Sequence, residues 1–172
     1  AEGKKIHKKL QNSFGAFYHS EVDLHNTSKL DEIFFYVKGR AYGIICHNGN
    51  YTVDEIKTVG ERLYHSKTVD RIHMAQLYCY AYFLCRTKEL DGVNARIVYY
   101  NVDGGDMEFI EKYVSVDELR NFYFTLLASV ASKARFLRNR FRERMPSAAK
   151  AVFPYSSLRE SQEEMIKECY RD

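Results

Sequence analysis

The 172-residue sequence predicts an α/β fold, a mixed β-sheet flanked by helices with a long helix at the C-terminal end. Three observations predict it. Helically spaced and strand-like segments alternate along the chain, which favours a sheet covered by helices. The dipeptide Asn48-Gly49 sits between two strand-like runs as a two-residue hairpin turn. A stretch from Lys67 to Leu90 contains no Gly or Pro and carries a broad apolar surface.

Taken in order, Glu2 to about Asn12 reads as a short helix with Ile6 and Leu10 on one side and His7 beside them. Glu21 to Leu24 reads as a first strand. Ile33 to Cys46 and Tyr51 to Thr58, rich in β-branched and aromatic residues, form the hairpin. The uninterrupted stretch, with Ile72, Ala75, Leu77, Ala81 and Leu84, reads as a mostly buried helix. Asn94 to Val102 returns to strand chemistry, Asp103-Gly104-Gly105 turns the chain, and Met107 to Val114 is a further strand.

Ser115 and Glu118 make a capping box for the final long helix, whose buried side is expected along Phe122, Leu126, Val130, Ala134, Leu137 and Phe141. Pro146 is expected to close it. Beyond lies a tail that opens on the extended Phe153-Pro154-Tyr155 and continues as an amphipathic helix.

Fourteen Tyr and eleven Phe support a packed domain. The net charge of +3 is too small to argue for nucleic acid by itself. No apolar run approaches the roughly 20 residues that span a bilayer, and no signal peptide opens the chain, so a cytoplasmic protein without a membrane partner is expected. Cys46, Cys79, Cys85 and Cys169 lack zinc or iron–sulfur spacing. They read as free thiols in a reducing compartment, with no iron–sulfur cluster.

Chemistry concentrates on the hairpin. Glu55 and Lys57 are two apart and share one face of their strand, while Asp54 points to the other. A carboxylate that ligates a divalent cation, next to an ammonium that stabilises developing charge, suits phosphodiester hydrolysis. By itself E-x-K is also the ordinary polar face of a half-buried strand. A second basic cluster, Lys133, Arg135, Arg138, Arg140, Arg142 and Arg144, lies late in the final helix with Glu143 as its single acid. It suits a solvated helix face or contact with phosphates.

Several residues in fixed order resemble the PD-(D/E)xK nucleases of the RecB-like type. Gly3-Lys4-Lys5-Ile6-His7 looks like the G-x-x-x-H signature, Gly39-Arg40-Ala41-Tyr42-Gly43 the second motif, and Glu55-Ile56-Lys57 the third. Gln76-Leu77-Tyr78-Cys79-Tyr80, preceded by His73, looks like Q-x-x-x-Y. The tail from Phe153-Pro154-Tyr155 through Arg159 and Gln162 resembles the start of an XPD- or DinG-like helicase, although no phosphate-binding loop follows.

The resemblance implies a restriction-endonuclease-like core of α-β-β-β-α-β order. Residues 1–146 would form the nuclease-like domain, and residues 147–172 the linker and truncated start of a helicase-like segment. It implies Mg2+ or Mn2+ held by His7, Glu55 and the backbone carbonyl of Ile56, with Lys57, Gln76 and Tyr80 as catalytic groups. Arg135, Arg138 and Arg142 would bind DNA, and the remainder of an ATP-using helicase polypeptide would be the partner.

Tyr42 departs from the pattern: it stands where the family carries an Asp ligand. A phenol with a pKa of about 10 is a poor ligand for a hard cation near neutral pH. Glu21 and Asp23, on one face of the first strand, are candidates to supply a replacement carboxylate. Two functions follow as expectations. One is an exonuclease-like deoxyribonuclease of DNA repair, impaired at Tyr42; the other is an inactive DNA-binding or scaffolding domain of a helicase.

Overall fold

The computed structural model describes residues 2–61, 70–150, 152 and 156–169. Its elements are α1 (Glu2–Ser13), β1 (Tyr18–Leu30), β2 (Ile33–His47), β3 (Asn50–Val59), α2 (Arg71–Lys88), β4 (Gly92–Asn101), β5 (Met107–Ser115), α3 (Val116–Ala149) and α4 (Glu160–Cys169). The chain divides into two compact units, Ala1–Ala131 and Ser132–Asp172. The first holds the whole sheet.

The five strands lie in the order β1-β2-β3-β4-β5. Hairpin neighbours pair antiparallel, whereas β3 and β4 pair parallel because α2 carries the chain back across the sheet. The sheet is therefore mixed, as expected, with helices on both faces. Val53, Ala95 and Ile97 face Leu77, Ala81 and Leu84 of α2 and Leu119, Tyr123 and Leu127 of α3. Ile56 and Val98 point the other way, to Leu10 of α1.

Local chemistry explains the element ends. Asp70 caps α2 by accepting from the Ile72 amide at 2.7 Å, and Glu89 ends it in the left-handed region at φ 55°. Asn48 and Gly49 both take positive φ in the β2–β3 turn. Half of the anticipated capping box forms: the Glu118 amide donates to Ser115 Oγ at 3.2 Å. The Glu118 carboxylate pairs instead with Lys112 at 3.0 Å.

The structure corrects four expectations. The first strand is much longer than Glu21 to Leu24, because the polar residues of β1 alternate with Val22 and Leu24, which pack into the core. The buried side of α3 is Leu119, Tyr123, Leu127 and Ala131, one position away from the expected stripe, and Leu126, Val130, Leu137 and Phe141 are exposed. Two adjacent stripes both have helical spacing here, and the one anchored by a tyrosine is the buried one.

The third correction concerns Pro146, which lies inside α3. Its fixed φ is helical, and the one ladder bond that its missing N–H removes, to the Arg142 carbonyl, lies on the exposed last turns, where water can take the acceptor. The fourth concerns the start of α2 at Arg71; the expected beginning at Lys67 lies outside the described residues, as do Phe153, Pro154 and Tyr155. In the tail, α4 buries no side chain. No described helix is long and apolar enough to cross a membrane.

Candidate active site

The site begins where the β2–β3 ladder stops. Pairing runs from His47↔Asn50 to Gly43↔Asp54 and no further, whereas β3 stays paired to β4 along the full run from Thr52↔Asn94 to Val59↔Asn101. Tyr42 and Glu55 therefore flank a gap in the sheet. The gap widens into a cleft of about 600 Å³ lined by His7 and Gln11 of α1, Glu21 of β1, Arg40 and Tyr42 of β2, Glu55 and Lys57 of β3, and Gln76 and Tyr80 of α2, among others.

Two glycines of the β2 motif serve this arrangement by lacking a side chain. A Cβ on Gly39 would lie 2.6 Å from Cε1 and 2.8 Å from the hydroxyl of Tyr80, so the ring rests directly on the strand. A Cβ on Gly43 would run into the Tyr18 ring. Both positions admit an aromatic where any other residue would exclude it.

Lys57 is the electrostatic centre. Its Nζ lies 2.7 Å from Glu55 Oε1 and donates to Gln76 Oε1 at 3.0 Å, and it stands 5.7 Å from the centre of the Tyr42 ring. Gln76 thus fixes where the ammonium points. Glu55 is 1% exposed, and its second oxygen, Oε2, is buried without a hydrogen-bond partner. Burial raises the Glu55 pKa above the ordinary carboxylate range, against the opposing pull of Lys57.

His7 Nε2 is likewise buried and unpartnered, and the imidazole meets the Tyr42 ring edge-on at 4.7 Å. Burial and the nearby Lys57 charge lower its pKa, with Glu21 acting in the opposite sense. The ring is thereby held neutral, the form that can donate a lone pair to a cation. Burial raises the Tyr42 pKa, so the phenol stays protonated at neutral pH. Burial does the same for Tyr80.

Two further residues complete the wall. Gln11, one turn after His7, donates from Nε2 to Glu21 Oε1 and to the Tyr42 carbonyl, each at 2.9 Å. Glu21 takes φ 55° in mid-strand, and it and Tyr42 drop out of an otherwise continuous β1–β2 ladder. Such a conformation is costly for a non-glycine residue and recurs at functional sites. Gln11 was legible from its i+4 spacing to His7; the turn at Glu21 has no sequence signal.

The expected residues separate into groups. His7, Tyr42, Glu55, Lys57, Gln76 and Tyr80 share the cleft. Of the two candidate replacement carboxylates, Glu21 lines it; Asp23 is bonded to Arg40 at 2.7 Å on the exposed strand face. Ile56 buries its side chain against Leu10 and Val98, pairs with Val98 in the sheet, and is not among the residues that line the cleft. His73 is in contact with the Tyr99 hydroxyl at 3.2 Å and does not line the cleft. Arg135, Arg138 and Arg142 belong to the second unit, while every residue lining the cleft belongs to the first.

The residues present fit a divalent cation in part. An imidazole nitrogen and a carboxylate oxygen, both buried and without a hydrogen-bond partner in one cleft, are donors of the kind a divalent cation accepts. Among the described residues, however, no three His, Cys, Asp or Glu side chains stand together closely enough to hold a metal as they are. Tyr42 occupies the place where a third would be expected. All four cysteines are free thiols; burial pushes Cys79 and Cys85 up to about 11, which removes them as nucleophiles near neutral pH.

No protein-family model matches the chain, and no curated protein matches it. Among solved structures it is similar to the crystal structure of SSO0001, at 23% identity and a TM-score of 0.51. The likeness covers 74% of this chain and 59% of that one, so the present chain spans well under two thirds of its neighbour. At this identity the likeness establishes the mixed α/β fold and nothing about activity.

Proposed function

We propose that the cleft is a metal-dependent phosphodiesterase site acting on DNA, of the PD-(D/E)xK type, with its activity reduced by Tyr42. The observation that carries this reading is the convergence of His7, Glu55, Lys57, Gln76 and Tyr80 from three separate elements, with two buried polar atoms left unpartnered among them. Held by His7 Nε2, Glu55 Oε2 and the Ile56 carbonyl, Mg2+ or Mn2+ would polarise the phosphodiester.

The chain's own groups carry the rest of the chemistry. Lys57 places its positive charge where charge develops on the phosphate, and Gln76 holds that ammonium in position. Tyr80, packed on Gly39, offers a hydroxyl to the substrate backbone at the cleft wall. Tyr42 contributes a neutral phenol where the reaction needs a carboxylate, which weakens cation binding without closing the cleft. In the polypeptide this domain would precede a helicase motor and act in DNA repair.

A second reading is a non-catalytic DNA-binding domain. It is favoured by Tyr42 and by the engagement of Lys57 with Glu55, which neutralises the charge that catalysis requires. Incubation with single-stranded and duplex DNA in Mg2+ or Mn2+ separates the two. The nuclease reading expects slow cutting that vanishes in Lys57→Ala. Binding without cutting, weakened by charge reversal at Arg138 and Arg142, selects the second.

A further inference from the structure

A face of the β1–β2 ribbon beyond the cleft carries a pattern that the core does not require. Phe34, Tyr36, Lys38 and Arg40 alternate along β2 with residues turned inward, so they share one face. Phe35 and Val37, between them, pack against the core. Directly across on β1 stand Lys29 opposite Phe34, Thr27 opposite Tyr36, His25 opposite Lys38 and Asp23 opposite Arg40.

The two rings are among the most exposed aromatics of the described chain, Phe34 at 71% and Tyr36 at 64%. Lys29 Nζ lies 5.3 Å from the centre of Phe34, and the His25 ring lies 5.8 Å from that of Tyr36. A groove of about 610 Å³ runs past His25, Tyr36 and Lys38 to Arg40. Arg40 also lines the catalytic cleft, so the groove and the cleft adjoin at that residue.

We propose that this ribbon is a docking track for single-stranded DNA leading into the cleft, an inference that rests on the DNA reading given above. Bases stack on Tyr36 and Phe34, and phosphates pair with Lys29, Lys38 and Arg40. Asp23, which holds Arg40, is the one acid among these eight positions. From Phe34 to Arg40 the strand rises about 20 Å, enough to engage several nucleotides. Aromatics interleaved with cations on an open groove are the platform used for unpaired strands; a duplex hides the faces of its bases.

The test is fluorescence anisotropy in EDTA, which removes cleavage from the readout, using an oligo(dT) about 12 nucleotides long and a blunt duplex. Stacking of one base contributes roughly 5- to 150-fold in affinity, so Phe34→Ala/Tyr36→Ala is expected to weaken oligo(dT) binding by at least about tenfold. Duplex binding should hardly change. Lys29→Ala/Lys38→Ala should reduce the slope of log affinity against log salt by about 1.4.

Tyr36→Phe keeps a stacking ring and is expected to bind like the parent, which separates stacking from damage to the fold. Unchanged oligo(dT) affinity in the double aromatic variant overturns the track while leaving the DNA reading intact. So does an equal loss for duplex, or a loss in Tyr36→Phe as large as in Tyr36→Ala. Failure of the parent to bind either DNA overturns both.

Discussion

Asp54 and Glu55 are neighbours on β3, both fully buried, and the chain treats their charges in opposite ways. Asp54, on the α1 face, receives two hydrogen bonds from Arg96 at 2.8 and 2.7 Å, and Arg96 is itself flanked by the rings of Phe14 and Phe109 at 5.3 and 5.2 Å. Glu55, on the other face, has one oxygen on Lys57 and one on nothing. A bidentate guanidinium clamped between aromatics is a finished structural ion pair. A buried carboxylate with an unpartnered oxygen at the edge of a cleft is instead a group that can still accept a ligand.

The contrast breaks most visibly on the closed side. Arg96→Ala strands the buried Asp54 charge and is expected to destabilise the protein by about 3–5 kcal/mol in urea unfolding. An effect below about 1 kcal/mol would mean that the pair is not structural. Next in size, Gly43→Ala forces a Cβ into the Tyr18 ring and should cost about 1–3 kcal/mol, read from the same unfolding curves.

Burial raises the pKa of both carboxyls, Asp54 against the pull of Arg96 and Glu55 against that of Lys57, but Glu55 has only one of its oxygens partnered. A carboxyl whose pKa is raised by folding contributes stability that is fully present below its ordinary value of about 4.5 and is lost as pH rises through the folded value. Ionised Glu55 is therefore a cost at neutral pH. Glu55→Gln should melt roughly 2–4 °C above the parent near pH 7, an advantage that disappears at low pH. A variant that melts lower at neutral pH would make Glu55 a structural residue like Asp54.

The smallest effect belongs to His7, whose pKa is lowered. Its contribution is present above the ordinary value of about 6.5 and is lost as pH falls through the folded value. His7→Phe should flatten the decline in stability below about pH 6.5, measured by urea unfolding at several pH values. An unchanged pH profile would place that titration elsewhere.

Much of this contrast is legible in the sequence. Period two along β3 places Asp54 and Glu55 on opposite faces, and the ordered signatures single out His7, Tyr42, Lys57, Gln76 and Tyr80, which do share one cleft. What sequence pattern cannot carry is long-range pairing. Arg96 lies 42 residues from Asp54 and meets it because β4 adds in parallel register, Asp54 opposite Arg96. The end of the β2–β3 ladder and the left-handed turn at Glu21 are equally tertiary. On α3, two helical stripes one residue apart compete; Tyr123 is buried against Tyr82 and Phe83 of α2, while Phe122 meets Tyr78 and stays partly exposed.

If Tyr42 leaves the proposed nuclease site one carboxylate short, the decisive measurement is DNA cleavage by Tyr42→Asp beside the parent in Mg2+ and in Mn2+. Cutting is expected to be at least about tenfold faster in Tyr42→Asp, a barrier lowered by about 1.4 kcal/mol or more, and to be absent when Lys57→Ala is added. Tyr42→Asp that folds yet cuts no faster than the parent in either metal, or cutting that survives the loss of Lys57, would contradict that proposal.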